Sequence, residues 1–177
     1  FFEIKVDVRL NVLERSKSLL DTHRLVLEGL DQKAATDARG VFVQGDTASC
    51  AAGALWGFLR KIPVYHVEAG LRTYDLQSPW PEEYNRRSTA LATTAHFCPT
   101  EGSAANLREE RYADASIHVV GNTVIDALKW TASRIESDSK LRAEFAQRFG
   151  LSDGRRLVLA TVHRRESFGA PIRQIFQ

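Results

Sequence analysis

The stretch VFVQGDTASCAAGALWGFLRKIPVYHVEAGLR, residues 41–72, decides the fold. VFVQGD, 41–46, is a short apolar run that ends in Gly45-Asp46, which marks a buried strand. TASCAAGALWGFLRK, 47–61, reads as a helix rich in small residues. IPVYHVE, 62–68, is a second strand, and AGLRTYDLQSPW, 69–80, is a loop. A strand, a helix and a strand so close together form a parallel pair joined by a right-handed crossover.

The pattern extends in both directions. KSLLDTHRLVLEGL, 17–30, has leucines at helical spacing. Pro81 starts a helix in the favoured first position, with Glu82 and Glu83 in its first turn. HFCP, 96–99, is a short strand, Thr100 caps a helix running to about Arg111, and SIHVVG, 116–121, is another strand. Helices are expected at 122–136 and 138–149, then a strand within RRLVLATVHRRE, 155–166. The fold class is α/β, a doubly wound parallel sheet. A boundary is expected near Gly121, with 1–120 as one unit and 121–177 as the start of a second.

Of 177 residues, 44% are apolar and 26% charged, which excludes a disordered chain. The 24 basic and 22 acidic residues are interspersed, so no nucleic-acid footprint is present. No apolar run reaches membrane-spanning length, and the first residues do not form a signal peptide. Cys50 and Cys98 lack a CxxC spacing and read as reduced thiols of a cytoplasmic protein. The chain has no Met, opens on Phe1-Phe2 and closes in a helix-like APIRQIFQ, so it is expected to be a piece of a longer protein.

In open parallel sheets the ligand sits beyond the carboxyl ends of the strands. Asp46 follows one strand and is either a ligand or acid/base group or a helix cap. Glu68 ends another. A partly desolvated carboxylate there suits general acid or base work, with Gly70 and Ala69 leaving room for a ligand. The alternative for Glu68 is an ion pair to Arg72 or Arg60. Glu82–Arg86 and Glu83–Arg87 are i,i+4 pairs and read on spacing as a solvated face. His163, Arg164 and Arg165 suit proton relay and phosphate binding, or a surface basic loop. His66, Glu68, His96 and His163 could in principle ligate a metal, but their spacing does not support it. Neither GxGxxG nor a P-loop is present, and Gly53 and Gly57 read as packing positions.

Together, GDT (45–47), HVEAGLRT (66–73), SPWPEEYNRR (78–87), GNTVIDAL (121–128) and HRRESFG (163–169) resemble the non-hydrolysing UDP-N-acetylglucosamine 2-epimerases. The likeness covers nearly the whole chain in matching order and spacing. It implies a Rossmann-like, GT-B-like architecture of two domains facing a cleft. This chain would hold most of the N-terminal domain without its first strand, and the truncated start of the C-terminal UDP-binding domain. The implied reaction interconverts UDP-N-acetylglucosamine and UDP-N-acetylmannosamine at C2, through UDP elimination, a 2-acetamidoglucal intermediate and re-addition. It needs no redox cofactor and no metal.

By resemblance, Asp46, Glu68, Glu82 and His163 are catalytic, which overturns the surface reading of Glu82. Asp46, Glu68 and His163 also contact substrate, with Arg86 and Arg164 as further UDP-sugar contacts. The full-length parent is implied to be a cytoplasmic homodimer, and this piece alone is expected to be inactive. Two alternatives remain: an epimerase of a modified UDP-sugar such as a diacetamido-uronate, or a non-catalytic UDP-sugar-binding remnant. One departure stands out. Lys17 occupies a position where the family commonly has Gln beside an activating UDP-N-acetylglucosamine site, so weakened activation is implied.

Overall fold

The computed structural model describes residues 2–34, 37–151, 157–161 and 173–174. The chain divides after Gly121 into two compact units. The first contains α1 (Val12–Arg15), α2 (Leu19–Lys33), β1 (Val41–Gln44), α3 (Ala48–Leu59), β2 (Val64–Val67), α4 (Glu82–Ala92), β3 (Ala95–Cys98), α5 (Glu101–Glu109) and β4 (Ile117–Val119). The four strands pair in the order β1-β2-β3-β4, all parallel. The α/β class and the parallel sheet are those the sequence implies.

The crossovers determine which side of the sheet is covered. Val43, His66, His96 and Ile117 are register partners across the four strands, and all four are buried. Helices α3, α4 and α5 pack on this side. Gly57 of α3 shows how close they come, because a Cβ there would stand 2.6 Å from Val41 Cγ1 and 2.8 Å from Val64 Cγ2. Ala69, Ala90, Cys98, Ala104, Leu107 and Ile117 form the second half of this core. Both cysteines are buried free thiols.

The opposite face limits the expectation of a buried strand at 41–46, since burial is confined to the side of Val43. Phe42 is 68% exposed. It stacks on Tyr65 at 4.8 Å and on Phe97 at 6.4 Å, and Phe97 stacks on His118 at 5.6 Å. Strand order in one direction, with right-handed crossovers, puts α3, α4 and α5 on one side only.

Local chemistry sets the element boundaries. Ser18, Thr47 and Thr100 cap α2, α3 and α5, accepting from the N–H groups of Asp21, Cys50 and Ser103. Pro81 occupies the cap position of α4 instead of its first turn, so the helix starts one residue later than expected. In the second unit, Asn122 caps α6 (Thr123–Ser137) and Asp138 caps α7 (Ser139–Arg148). The strand expected within 155–166 is not borne out at 157–161, which carry no strand pairing and are exposed. A strand exists only through a paired neighbour, and those residues have none among the described residues. The rest of that stretch lies outside the described residues.

Gly70 has φ +85°, and a Cβ there would lie 2.2 Å from the Ser103 carbonyl oxygen at the start of α5. The room beside Glu68 is therefore filled by the fold itself. Gly70→Ala is expected to destabilise the protein by more than about 1 kcal/mol, through both the positive φ and the clash. The check is a fall in the denaturant midpoint. An unchanged midpoint would contradict this packing.

Candidate functional site

The site is built where β1 and β2 end. The ladder continues past the strands, with Gly45 N–H donating to the Val67 carbonyl at 3.0 Å and Ala69 N–H to the Phe97 carbonyl at 3.0 Å. The turn Gly45-Asp46 (φ +71° at Gly45) thus sits beside Glu68. Glu68 Oε2 lies 4.0 Å from where a Cβ on Gly45 would stand. Glu68 has φ +65°, a left-handed conformation that a non-glycine residue adopts at a cost.

The turn is fixed by four side chains. His66 Nε2 lies 2.8 Å from the Gly45 carbonyl, which can only accept, so Nε2 carries the proton. Cys50 Sγ reaches the same carbonyl at 3.2 Å. Asn85 Nδ2 donates to the Asp46 carbonyl at 2.8 Å. Arg86 donates from Nε to Asp46 Oδ2 at 3.0 Å, and its terminal nitrogen lies 2.8 Å from the same oxygen. Since Thr47 is the cap of α3, the Asp46 carboxylate is left to Arg86, which resolves the cap alternative for Asp46.

The neighbours of Glu68 are also resolved. Arg72 pairs with Glu110 through two bonds of 2.7 and 2.8 Å, and Arg60 with Asp31 at 3.4 Å. Neither pairs with Glu68. The Arg72 side chain is fully buried, and it holds the Glu110 carboxyl below the usual range. After β3, Thr100 is used as a cap, and Glu101 is exposed near Arg108.

The reading of 82–87 as a solvated face fails at Glu83. Its side chain is fully buried, accepting from Thr73 N–H at 3.1 Å, Tyr74 N–H at 3.1 Å and Arg86 at 3.3 Å. The loop after β2 has backbone donors that need an acceptor once covered, and Glu83 supplies it. Glu82 is half-buried at the start of the same helix. Asp46, Glu68 and Arg86 are thus brought together at one sheet edge, with Glu82 on the helix that carries Arg86. His163 and Arg164 lie outside the described residues. Sequence reasoning missed Glu83, Asn85 and the Arg72–Glu110 pair. Apart from Arg86, which is three residues on from Glu83, their partners are distant in the chain, and no local spacing signals them.

Among the described residues no group of three His, Cys, Asp or Glu is arranged to hold a metal ion. His66 and His96 line the core instead. Burial pushes His66 down and His96 down to about 4, with His66 adding to the effect on His96. Burial pushes the Cys50 thiol up to about 11, so it is not a ready nucleophile.

The buried His96 has a consequence for stability. Its folded value of about 4 lies below its ordinary 6.5. Between these values the unfolded chain binds the extra proton, so stability is full above the upper value and declines as pH falls towards the lower. His96→Phe keeps an aromatic ring against Tyr112, whose ring centroid lies 4.9 Å away. Denaturant midpoints across about pH 4–7 should fall less steeply with acid in this variant than in the parent. Parallel curves would reject His96 as a source of the slope.

Comparison with known proteins points one way. The family description UDP-N-acetylglucosamine 2-epimerase matches residues 1–177. The chain is 45% identical over 176 residues to the UDP-N-acetylglucosamine 2-epimerase of Escherichia coli (strain K12), covering 98% of this chain and 47% of that protein. For the Yersinia pestis protein of the same name the identity is 44% over 178 residues, with the same coverage. Among solved structures, the Neisseria meningitidis UDP-GlcNAc 2-epimerase bound to UDP-GlcNAc superposes with a TM-score of 0.88 at 41% identity. That match covers 95% of this chain and 46% of the other. The Methanocaldococcus jannaschii enzyme in complex with UDP-GlcNAc and UDP gives 0.72 at 34% identity, over 81% and 39% of the two chains. The chain spans about half the length of the curated relatives it matches.

Proposed function

The chain belongs to the UDP-N-acetylglucosamine 2-epimerase family, and from that premise we propose that the whole protein interconverts UDP-N-acetylglucosamine and UDP-N-acetylmannosamine. The observation that carries the reading is the meeting of Asp46, Glu68 and Arg86 at the carboxyl edge of the sheet. One carboxylate takes the C2 proton while the C1–O bond to UDP breaks and its electron pair leaves with the diphosphate. The product is a 2-acetamidoglucal with a C1–C2 double bond. UDP oxygen then re-adds at C1, and a proton returns to C2 on the other face. Atoms and charge balance without an oxidant.

Asp46, Glu68 and Glu82 are the proposed acid and base carboxylates. His163 is proposed as a catalytic and substrate-binding residue, with Arg86 and Arg164 as UDP-sugar contacts. A carboxylate suits the proton steps, and guanidinium groups suit a departing diphosphate. Residues 1–120 are proposed as most of an N-terminal Rossmann-like domain and 121–177 as the start of a UDP-binding one. No described helix is long and apolar enough to cross a membrane. The whole protein is proposed to act as a homodimer in the cytoplasm, where free thiols such as Cys50 and Cys98 persist.

The decisive experiment incubates the whole protein with UDP-N-acetylglucosamine in heavy water and looks for deuterium at C2. Absence of both label and mannosamine product would sink the reading. Glu68→Gln should cut turnover by about 100-fold or more while substrate still binds. Near-parental turnover would remove Glu68 from the chemistry.

Lys17 is exposed at the approach to α2, where its N–H donates to Asp21. The reverse reaction from UDP-N-acetylmannosamine is expected to respond weakly to a trace of UDP-N-acetylglucosamine. Strong acceleration by that trace would show that activation survives Lys17.

A further inference from the structure

Glu83 is the most deeply buried carboxylate of the first unit, with its side chain fully covered. Its two oxygens are divided between two tasks. Oε1 accepts from Tyr74 N–H, and Oε2 accepts from Thr73 N–H and from Arg86. Arg86 in turn holds Asp46 with its other nitrogens. The loop that Glu83 holds is the one that leaves β2 through Glu68, and Tyr74 in it has φ +60°. A single buried charge therefore touches the guanidinium that grips Asp46 and the segment that follows Glu68.

We propose that Glu83 is a positioning residue: it sets the Arg86 guanidinium against Asp46 and ties the loop after Glu68 to α4. The inference rests on the proposed epimerase reading for its kinetic side, and on geometry alone for its structural side. Arg86 is a flexible side chain with one rigid, planar end. With only Asp46 as partner it could bind that carboxylate in several orientations. The second carboxylate behind it removes that freedom, because the Nε edge and one terminal nitrogen face Asp46 while the other terminal nitrogen is taken. A buried carboxylate that accepts two backbone N–H bonds is itself immobile, so the position of Asp46 is referred back to the helix.

Glu83→Gln in the whole protein keeps the size and removes the charge. The amide can no longer accept on both sides, and its NH2 group meets an N–H donor. In the variant's crystal structure Arg86 is expected to leave Asp46, and residues 73–74 to shift. An unchanged Arg86–Asp46 contact would overturn the proposal, whether or not the parent epimerises. In kinetics, kcat is expected to fall about 10-fold or more with KM within about threefold. Arg86→Lys, which cannot bridge both carboxylates, should lose a similar factor, and the double variant should fall no further than the deeper single one. A parental kcat, or losses that multiply in the double variant, would overturn the role. Should Glu83→Gln fail to fold, Glu83→Asp withdraws the carboxylate by one methylene and is read by the same two measurements. A parent that does not epimerise would sink the functional reading alone, since the structural readout still decides on Glu83.

Discussion

One guanidinium ties together the segments beyond the carboxyl ends of β1 and β2. Arg86 sits between Asp46 and Glu83, on a helix that follows the two strands it serves. Asp46 lies in the turn after β1, Glu83 belongs to α4, and the amides from which Glu83 accepts belong to the loop after β2. Three segments separated in sequence are thereby referenced to one another by charge-assisted hydrogen bonds. Such bonds are short and directional, and they fix geometry more tightly than apolar contact does. With Arg86 15% exposed and Glu83 fully covered, water screens the link less than it would at an open surface.

That constraint explains why a strained residue can persist beside it. Glu68 holds a left-handed backbone, and the surroundings must over-determine such a conformation. They do so from both sides. Val67 is locked by the ladder to Gly45, Ala69 is locked to Phe97, and Gly70 is pressed against the Ser103 carbonyl. The carboxylate of Glu68 is then presented towards the Gly45-Asp46 turn by the backbone itself, with no ion pair to Arg72 or Arg60 diverting it.

The sequence made the strands and helices legible because each has a local cause. Small residues at Gly53 and Gly57 announce a helix lying close on a sheet, and Thr47 and Thr100 announce helix starts. Asp46 and Glu68 were legible as edge residues because each directly follows an apolar run. The difference between Glu82 and Glu83 was not legible. Neighbours on a helix point about 100° apart, and only the position of the loop at 69–80 decides which one turns inward. Charge pairing by i,i+4 spacing misled for the same reason, since it supposes water around the helix end. Arg86 found better partners in Asp46 and Glu83 than an exposed helix face offers.

The one-way winding also bears on the chemistry. It puts α3, α4 and α5 over one face, so the row Val43, His66, His96 and Ile117 becomes core, with His66 reaching the Gly45-Asp46 turn. Two histidines in such a row are costly to charge, and burial keeps them neutral. A neutral His66 with its proton on Nε2 is what the Gly45 carbonyl requires. The floor of the site is therefore held by an uncharged donor and its rim by a charged one, Arg86. Protonating His66 would add a like charge near Arg72 without adding a bond to Gly45. The fold thus separates the two jobs: buried His66 fixes the backbone from the core side, and Asp46, Glu68 and Arg86 stand beyond the carboxyl ends of the strands.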